Sequence, residues 1–432
     1  MDEPKRTELK VNKQRAVLVS VLLRGKDTGE VEPLDELRGL AETAGVKIVG
    51  SLVQNRQWVD KKTYLGKGKL EELKQLVETQ NAEVIIFDTS LSPAQGRNIE
   101  EATGKTIVDR SELIIDIFAT HARTAEAKLQ VELAQLLYTR PRLKRMWTHL
   151  ERTEGAVGTR GPGEQQIETD RRLIDTRVSE LKSRIKELEQ RRERLVKQRH
   201  DHFTVSIVGY TNAGKSTLMN ALTGADVFVA DQLFATLDTR TRSWVIPHWG
   251  TVLLSDTVGF IRDLPHHLVA SFKSTLAEAL HADLLLHVVD ASHPAAAEQI
   301  KTVNKVLEDV GIDGSTAILV LNKVDAVQDP SLIHVLRGVN DESVSVSALR
   351  KTGFETLAQV IADRLGGGYL DATVEASAGN GKLLSFLNTH AEIKHTTYTD
   401  NRVAYECRIP KRFLGGLRMD DTVVKTAGNG EQ

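Results

Sequence analysis

The sequence predicts an α/β protein in which a mostly parallel sheet is preceded by a small α/β domain and a long antiparallel helical hairpin, and followed by a small α+β domain. Two observations carry this prediction. Short apolar runs alternate with helix-forming segments in two separate stretches, 15–122 and 203–366. Between them, residues 123–202 show a heptad pattern and a surplus of positive charge. The last stretch, 367–432, holds one helix-forming and one strand-forming segment.

Composition narrows the class of protein without naming a partner. The chain has 432 residues, 40% hydrophobic and 27% charged, as expected of a globular protein with a buried core. The formal net charge of −2 favours neither an acidic nor a basic partner, and Cys407 has no second cysteine to pair with. No signal peptide or apolar run of about 18 residues is present. We therefore expect a cytoplasmic protein without stable membrane insertion. The sequence leaves the oligomeric state open, with a monomer favoured.

After a flexible start at residues 1–14, the N-terminal α/β domain should span residues 15–122. Four apolar runs alternate with helix-forming segments, which favours a parallel sheet. The predicted strands are 16–23, 46–53, 84–87 and 106–109, and the predicted helices are 33–44, 64–80 and 93–103. The segment Gly66-Lys-Gly-Lys69 has two interpretations, a solvated loop before a helix or a phosphate site. We favour the loop, because two glycines without a full fingerprint are a weak signal.

Residues 123–202, here called the arm, should form a helical hairpin. One helix carries apolar residues at alternating steps of four and three, which is typical of a helix that packs on another helix. These residues are Ile174, Val178, Leu181, Ile185, Leu188 and Leu195, with Arg192 at the remaining position. The preceding helix begins near Ala125, and Pro141 should kink or end its first half. A glycine-rich tip, 155–163, separates the two helices.

The arm is strongly basic. From Arg140 to His200 there are seventeen Lys and Arg against ten Asp and Glu, a net of +7. A basic arm on a near-neutral chain predicts contact with nucleic acid. The alternative is a solvated hairpin with pairs such as Glu187 and Arg191. The tip favours the nucleic-acid interpretation, because Gly158, Gly161 and Gly163 permit close backbone approach to a surface and Arg160 supplies donors.

The stretch Gly209-x-x-x-x-Gly214-Lys215-Ser216 follows an apolar run, 205–208, and precedes a helix-forming run. This strand, loop and helix order predicts a phosphate-binding loop. Glycines let backbone N–H groups turn toward phosphate oxygens, Lys215 can reach the terminal phosphates, and the Ser216 hydroxyl can ligate Mg²⁺.

A second apolar run, 317–321, leads into Asn322-Lys-Val-Asp325. The Asp325 carboxylate can accept hydrogen bonds from N1–H and the exocyclic amine of guanine, whereas adenine has no such pair of donors. A site of this kind discriminates by roughly 10⁴-fold or more. Ser347, Ala348 and Leu349 end a further predicted strand and could back the guanine ring.

Two more segments lie between these motifs. Asp256-Thr-Val-Gly259 follows an apolar run, so that Asp256 can hold Mg²⁺ through water and the Gly259 amide can meet the γ-phosphate. The loop 234–238 stands where a first switch is expected. The adjacent His266 and His267 are interpreted as solvated switch residues, because they lack metal-ligand spacing. Five motifs in this order predict a GTPase domain over residues 203–366.

The predicted nucleotide site can be stated residue by residue. Its members are Gly209, Tyr210, Thr211, Asn212, Ala213, Gly214, Lys215, Ser216, Thr217, Phe234, Ala235, Thr236, Leu237, Asp238, Asp256, Thr257, Val258, Gly259, Asn322, Lys323, Val324, Asp325, Ser347, Ala348 and Leu349.

Taken together, these motifs resemble the HflX family of translation-factor-related GTPases over nearly the whole chain. The most specific elements are Gly161-Pro-Gly-Glu-Gln-Gln166 with Glu168, Asp170, Arg171 and Arg172, the loop Phe234-Ala-Thr-Leu-Asp238, and Asp256-Thr-Val-Gly-Phe260. The resemblance implies binding to the large ribosomal subunit, with the arm directed toward the peptidyl-transferase region, and splitting of stalled or stress-arrested ribosomes. It also implies Thr236 as a second Mg²⁺ ligand beside Ser216, a catalytic set of Lys215, Thr236 and Gly259, and RNA contacts by Arg171 and Arg172.

One departure from Ras-like enzymes bears on catalysis. Phe260 follows Gly259 where those enzymes carry a water-orienting glutamine, and phenylalanine cannot hydrogen-bond to water. Intrinsic hydrolysis should therefore be slow and depend on a partner or an ion. Asn212 matches a position that resembles the potassium-coordinating asparagine of TrmE- and Era-like GTPases, so K⁺ is hypothesised beside Mg²⁺.

Two classes of function stay open at this point. The leading hypothesis is a GTP-hydrolysing factor that binds the large ribosomal subunit and its RNA and is stimulated by it. The alternative is a GTP-gated scaffold that docks on a protein or membrane complex through a coiled-coil arm. Binding through phosphates weakens steeply with salt, whereas a hydrophobic heptad interface does not.

Overall fold

The structure is a computed structural model that describes most of the chain. It covers residues 13–24, 33–143, 162–197, 203–224, 233–234, 236, 240–247, 249–263, 279–340, 342–366, 369–399, 401–417 and 422–426. Among the helices it describes, none combines the length and apolar character needed to cross a membrane.

The first of the sheets described, called the N-terminal sheet, has four parallel strands in the order β2-β1-β3-β4. Its strands are β1 (Arg15–Leu23), β2 (Lys47–Arg56), β3 (Val84–Phe87) and β4 (Thr106–Asp109). Its helices are α1 (Asp35–Thr43), α2 (Lys67–Thr79), α3 (Pro93–Thr103) and α4 (Arg110–His121). Helix α3 begins at a capping box in which Ser92 and Gln95 bond each other's backbone, and it ends at Gly104 with φ 68°.

Two local predictions for this domain need correction. The helix expected from Tyr64 begins only at Lys67, because the Asp60 carboxylate holds residues 60–64 in a turn. Helix α4 was not predicted at all. Its apolar residues surround most of the helix, including Leu113, Ile114 and Phe118, so the sequence shows no amphipathic period. The helix is buried on several sides.

The arm is a helical hairpin formed by α5 (Ala125–Thr139) and α6 (Pro162–Lys197), with a 3₁₀ turn at Arg140–Arg142. Helix α5 ends just before Pro141, as predicted. Its end pairs with an early part of α6 through Arg140 and Asp175, 2.6 Å apart. One to two turns earlier in α5, Leu133 packs on Leu181 and Ile185 further along α6. The two helices therefore run in opposite directions.

The central sheet has six strands in the order β10-β9-β8-β5-β7-β6, all parallel except β6, which runs antiparallel to β7. Its strands are β5 (Phe203–Gly209), β6 (Arg240–Ile246), β7 (Gly250–Asp256), β8 (Leu284–Asp290), β9 (Ile318–Asn322) and β10 (Ser343–Ser345). Its helices are α7 (Lys215–Thr223), α8 (Ala296–Asp309), α9 (Ser331–Arg337) and α10 (Phe354–Gly366). The sequence did not predict β6, because the first four residues of this edge strand, 240–243, are polar and leave no continuous apolar run.

The last part of the chain forms an antiparallel sheet in the order β12-β13-β11-β14. Its strands are β11 (Tyr369–Ser377), β12 (Glu392–Thr399), β13 (Arg402–Pro410) and β14 (Val423–Thr426), and its helix is α11 (Gly381–His390). Helix α11 buries Leu383 and Leu387 against this sheet, where Val374 and Cys407 are also buried. This is the small α+β domain that the sequence predicted.

The N-terminal and central domains share one hydrophobic core. Leu37 of α1 and Leu113 of α4 belong to the same buried cluster as Tyr210, Phe234 and Phe260 of the central domain. The N-terminal domain therefore packs directly against the segments in which the sequence predicts the nucleotide site.

Candidate nucleotide-binding site

The loop between β5 and α7 has the backbone that a phosphate site needs. Gly209 has φ 151°, and a Cβ there would lie 2.2 Å from the carbonyl oxygen of Val288. Gly214 has φ 87°, and its Cβ would lie 2.4 Å from Nδ2 of Asn322. A side chain at either position would be strained and would clash. Because Gly214 is the N-cap, no side chain caps the first turn of α7, whose N–H groups suit an anion.

Lys215 lies inside this loop. Its side chain is buried, and Nζ donates to the carbonyl oxygens of Gly209 at 3.1 Å and Tyr210 at 2.9 Å. Burial lowers the pKa of Lys215 to about 8, and the negative charge of Asp256 opposes that shift. The loop thus holds a buried cation whose direct partners are uncharged carbonyls.

Three oxygen-bearing side chains meet beside the lysine. Ser216 Oγ donates to Asp256 Oδ2 at 2.6 Å and lies 2.8 Å from Thr236 Oγ1. Asp256 is fully buried, and its Oδ1 has no hydrogen-bond partner among the described residues. Burial raises the pKa of Asp256, while the Lys215 charge and the Ser216 hydrogen bond act in the opposite direction. Mg²⁺ prefers hard oxygen ligands, so this donor set with one orphaned carboxylate oxygen fits that ion.

Asn322 joins the phosphate loop to the predicted base site. Its Nδ2 donates to the carbonyl oxygen of Ala213 at 3.0 Å, and its Oδ1 accepts from the amide of Ala348 at 3.0 Å. The side chain is almost fully buried, with 1% exposed. Asn322 therefore connects three motifs that are far apart in the sequence, rather than presenting its amide to solvent.

Asp325 is oriented by residues on two sides. Its Oδ1 accepts from Ser347 Oγ at 2.5 Å, and this hydrogen bond is the main reason that the pKa of Asp325 is lowered. Arg350 Nε lies 3.8 Å from Oδ2 and was not predicted as part of the site. Lys323 has φ 60° and pairs with Asp290 at 2.7 Å. The carboxylate stays ionised at neutral pH and is held in one orientation, as an acceptor of two ligand N–H groups must be.

The segment after Asp256 is tied to the phosphate loop. Phe260 donates its amide to Gly209 O at 3.1 Å, and its carbonyl accepts from the amide of Thr211 at 2.7 Å. A Cβ on Gly259 would lie 2.8 Å from Cα of Thr211. Thr211 Oγ1 also accepts from the amide of Phe234 at 2.9 Å. The structure thus brings the phosphate loop, one residue of the predicted first switch and the Asp256 segment into direct contact.

Some predicted residues lie outside the described part of the chain, and others lie away from the site. Ala235, Leu237, Asp238, Arg160, Gly161, His266 and His267 are outside the described residues. Gly163 is in the first turn of α6, and Arg171 and Arg172 are exposed further along that helix. Leu349 is 78% exposed beside Ser347.

A polar network beside the phosphate loop was missed by the sequence interpretation. Tyr210 donates its hydroxyl to Glu36 of α1 and accepts from the amide of Arg262 at 2.8 Å. Arg110, at the start of α4, pairs with Glu36 and with Asp88 at 2.7 Å. Arg262 also pairs with Asp88, at 3.2 Å. The available signal was that Asp88 and Arg110 directly follow two buried strands, at the carboxyl edge where parallel sheets place functional groups.

A second contact links the N-terminal domain to the predicted first switch. The ring of Phe118 in α4 meets that of Phe234 edge-on, with centroids 4.6 Å apart. Thr43 Oγ1 accepts from the amide of Leu233 at 3.2 Å. Residues on both sides of the phosphate loop therefore touch the N-terminal domain.

Comparison with known families agrees with this architecture. Residues 31–119 match the family described as GTP-binding GTPase N-terminal, and residues 121–199 match the GTP-binding GTPase middle region. Residues 204–323 match the family described as 50S ribosome-binding GTPase. The three matches follow one another along the chain. They cover, in turn, most of the N-terminal domain, most of the arm and most of the central domain.

Individual relatives share most of the chain. It is 48% identical to GTPase HflX of Caldanaerobacter subterraneus subsp. tengcongensis over 356 residues, 82% of this chain and 81% of that protein. It is 43% identical to GTPase HflX of Escherichia coli K12 over 402 residues, 92% and 94% of the two chains. A solved structure of SsGBP with GDP is 26% identical to this chain, and the match covers 80% of this chain and 97% of that one, at a TM-score of 0.45. The chain belongs to the HflX family and is a GTPase, an enzyme that binds GTP and hydrolyses it to GDP and phosphate.

Proposed function

We propose that this GTPase binds the large ribosomal subunit, is stimulated by it, and uses GTP hydrolysis to split or rescue stalled ribosomes under stress. The main support for this proposal is a polar network between two domains. In this network Tyr210 of the phosphate loop is hydrogen-bonded to Glu36 of the N-terminal domain, and Glu36 also pairs with Arg110, which in turn pairs with Asp88. The N-terminal domain leads directly into the basic arm. The family description of the central domain as a 50S ribosome-binding GTPase supports the choice of partner.

In this proposal the nucleotide occupies the site formed by the phosphate loop. Amides of residues 209–217 and the Lys215 ammonium bind the phosphates, while the Asp325 carboxylate accepts the two guanine N–H groups. Ser216 and Thr236 would hold Mg²⁺ directly, and Asp256 would hold it through water. When bound, the ion would neutralise charge on the β- and γ-phosphates. The Gly259 amide donates to the γ-phosphate, so only GTP reaches this part of the site.

Intrinsic hydrolysis should be slow because the position after Gly259, where Ras-like enzymes carry a water-orienting glutamine, holds a phenylalanine. This residue, Phe260, is 3% exposed and packs in the core shared with the N-terminal domain. A partner must therefore supply the missing stabilisation, which is worth roughly 10³–10⁵-fold in related enzymes. We propose that the large subunit supplies it.

Communication between nucleotide and arm follows from the same contacts. In this proposal the γ-phosphate lies near Thr236 and Gly259. Their neighbours Phe234 and Phe260 pack against α1 and α4. Helix α4 leads directly into α5 of the arm, and Tyr138 of α5 donates to Glu112 of α4 at 2.9 Å. A change in the two switch segments would therefore alter how the arm is held.

The alternative function, docking through a coiled-coil arm, is less well supported. Within the described part of α6, Val178, Leu181 and Ile185 pack on the α5 residues Leu129, Leu133, Leu136 and Leu137. This part of the heptad is satisfied inside the chain. The exposed residues described in α6 are mostly charged or polar, among them Arg171 and Arg172, while Leu173 is 64% exposed.

The deciding experiment is GTP turnover with and without purified large ribosomal subunits, repeated after deletion of residues 155–163. A control replaces the same nine residues by a Gly-Ser segment of equal length, to separate loss of the hairpin connection from loss of the tip sequence. We expect stimulation of at least tenfold that both changes abolish. Absence of stimulation in the unaltered protein would contradict the proposal and favour the scaffold.

Potassium dependence can be tested in the same assay. Asn212 has φ 61° in the phosphate loop, next to the expected position of the phosphates. We expect turnover several-fold faster in K⁺ than in Na⁺, both alone and with large subunits, and we expect Asn212→Ala to remove the difference. Equal rates in the two salts would exclude a role for potassium.

A further inference from the structure

The loop after β2 concentrates positive charge around an exposed tryptophan. Residues 54–69 contain five Lys and Arg and one acidic residue, Asp60, a net of +4 on a chain whose total is −2. Trp58 is 73% exposed, whereas Trp244 and Trp249 are 7% and 0% exposed. We call residues 57–66 the Trp58 loop. An aromatic side chain this exposed contributes little to the protein core, and its ring face is available to a ligand.

The Trp58 loop is held in one conformation. Asp60 and Tyr64 exchange backbone hydrogen bonds of 3.1 and 3.0 Å, and Asp60 Oδ1 accepts from the amides of Lys62 at 2.8 Å and Thr63 at 3.0 Å. From α3, Gln95 donates to the carbonyl of Asp60 at 3.2 Å and Asn98 donates to that of Lys62 at 2.8 Å. The loop presents Trp58 with little conformational entropy left to lose on binding.

The charges of the loop are available for a partner. The single carboxylate, Asp60, is engaged by backbone amides, which lower its pKa. Lys61, Lys62 and Lys67 are exposed and make no ion pair with the residues that the structure describes. Lys69 differs, because it pairs with Glu72 at 2.8 Å. Lys61 and Lys62 of the loop, and Lys67 at the start of α2, therefore carry positive charge that no ion pair within the described residues neutralises.

The loop lies on the side of the N-terminal domain from which the arm extends. Arg142, after the end of α5, donates to the carbonyl of Leu91 at 2.8 Å and pairs with Asp109 at 3.1 Å. Leu91 and Ser92 lead into α3, and α3 in turn holds the Trp58 loop through Gln95. Arg142 of the arm and the Trp58 loop are thus both bonded to residues 91–98, the segment that leads into α3 and forms its first turns.

We propose that the Trp58 loop is a second RNA-contact site, in which Trp58 stacks on an unpaired base and Lys61, Lys62 and Lys67 bind the flanking phosphates. The inference rests on the proposed function, because large-subunit RNA is the intended partner. Stacking on an aromatic ring beside cations is how unpaired nucleotides are bound. A protein partner fits less well, because protein interfaces are depleted of charge at their centres and the exposed neighbours Gln57, Lys61 and Lys62 are all polar.

The test measures binding of the full-length protein, loaded with a non-hydrolysable GTP analogue, to purified large subunits at four KCl concentrations. Trp58→Ala should weaken binding by roughly 5- to 150-fold without changing the dependence on salt, since stacking releases no counterions. Trp58→Phe should retain most of the affinity. The double variant Lys61→Glu/Lys62→Glu should make the slope of log affinity against log salt shallower by about 1.5.

Matched controls exclude general effects of exposure or charge. Tyr398 is 70% exposed in β12, so Tyr398→Ala removes an equally exposed aromatic side chain elsewhere. Lys301→Glu/Lys305→Glu makes the same change of charge on exposed residues of α8. Neither control should change affinity by more than about twofold. Equal effects of the Trp58 variants and their controls would overturn the inference.

A photo-crosslinker placed at residue 58 identifies the partner directly. An adduct with ribosomal RNA supports the inference, whereas an adduct only with ribosomal protein, or none, overturns it. If the unaltered protein does not bind subunits at all, the proposed function fails. The inference is then judged separately on a single-stranded oligouridylate, where loss of binding in Trp58→Ala but not Tyr398→Ala supports it and equal binding overturns it.

Discussion

The carboxyl edge of the N-terminal sheet and that of the central sheet carry similar side chains in different states. At the N-terminal edge, Asp88 follows β3 and pairs with Arg262 across the domain interface. Arg110 follows β4, pairs with Glu36 and Asp88 of its own domain, and donates to the carbonyl of Arg262 at 3.1 Å. At the central edge, Asp256 ends β7 with one carboxylate oxygen lacking a partner among the described residues, and Lys215 is bonded to backbone carbonyls. Parallel strands bring polar groups together at both edges.

This difference shows how a site that binds a ligand can be distinguished from a site where two domains pack on each other. Where opposite charges pair directly, as in the network of Glu36, Asp88, Arg110 and Arg262, the charges are balanced without a ligand. At the central edge, the buried carboxylate of Asp256 and the buried ammonium of Lys215 can each form further hydrogen bonds. A ligand that formed them would stabilise the site, because unpaired buried charge is costly. The following predictions test this distinction, from the largest expected effect to the smallest.

Asp325→Asn should have the largest effect on nucleotide binding. The amide would present N–H toward the guanine N–H groups, so we expect GTP affinity to fall by about 10³-fold or more. Xanthosine triphosphate, which offers a carbonyl oxygen at that position, should then bind better than GTP. Affinity is measured by titration calorimetry. Asp363→Asn, on the exposed side of α10, should change neither affinity, and unchanged GTP binding in Asp325→Asn would contradict the assigned base site.

Arg110→Met should damage stability rather than nucleotide binding. It leaves the Glu36 carboxylate without its buried cation and Asp88 with Arg262 alone, so the free energy of unfolding should fall by about 3–5 kcal/mol, measured by denaturant titration. Arg364→Met breaks an exposed pair with Glu342 and should have almost no effect. If GTP affinity fell as far as in Asp325→Asn, the N-terminal edge would belong to the ligand site and the distinction would fail.

His287 provides a pH test in the centre of the central sheet. Burial and the nearby Lys215 charge lower its pKa to about 4, from 6.5 when unfolded. Between these pH values the unfolded chain binds a proton that the folded protein does not, so stability falls as the pH falls, by about 3 kcal/mol in total. His287→Gln should lose less stability between pH 6.5 and 4. The exposed His281→Gln should behave like the unaltered protein, and an identical acid profile for His287→Gln would contradict the prediction.

Tyr210→Phe should have the smallest effect and should report on coupling. It removes only the hydroxyl that joins Glu36 to the amide of Arg262 and keeps the buried ring. A hydrogen bond to a charged group contributes about 1.5–3 kcal/mol, so the preference of large subunits for the GTP-bound over the GDP-bound form should fall by roughly tenfold. Subunit binding in the two states measures this, and Tyr398→Phe is the exposed control. An unchanged preference would show that coupling takes another route.

Much of the fold could be predicted because its signals are local. Apolar runs located the parallel strands of the N-terminal and central sheets, and the heptad pattern located α6. Two elements were missed because their burial hides the expected hydrophobic pattern. Helix α4 is buried on several sides and therefore shows no amphipathic period, and β6 is an edge strand without a continuous apolar run. Arg350 beside Asp325 was missed as well, because one arginine after a strand end carries no pattern.

The sequence by itself determined the class of nucleotide chemistry, because the phosphate loop, the Asp256 segment and Asn322–Asp325 are short contiguous motifs whose backbone and side chains act locally. Only the tertiary structure decided what the nucleotide site touches. Tyr210 and Glu36 are 174 residues apart in the chain, and Arg110 and Arg262 are 152 apart, yet they meet in one buried network. Such contacts arise when two domains bury a shared core, and no local pattern specifies which polar residues that burial brings together.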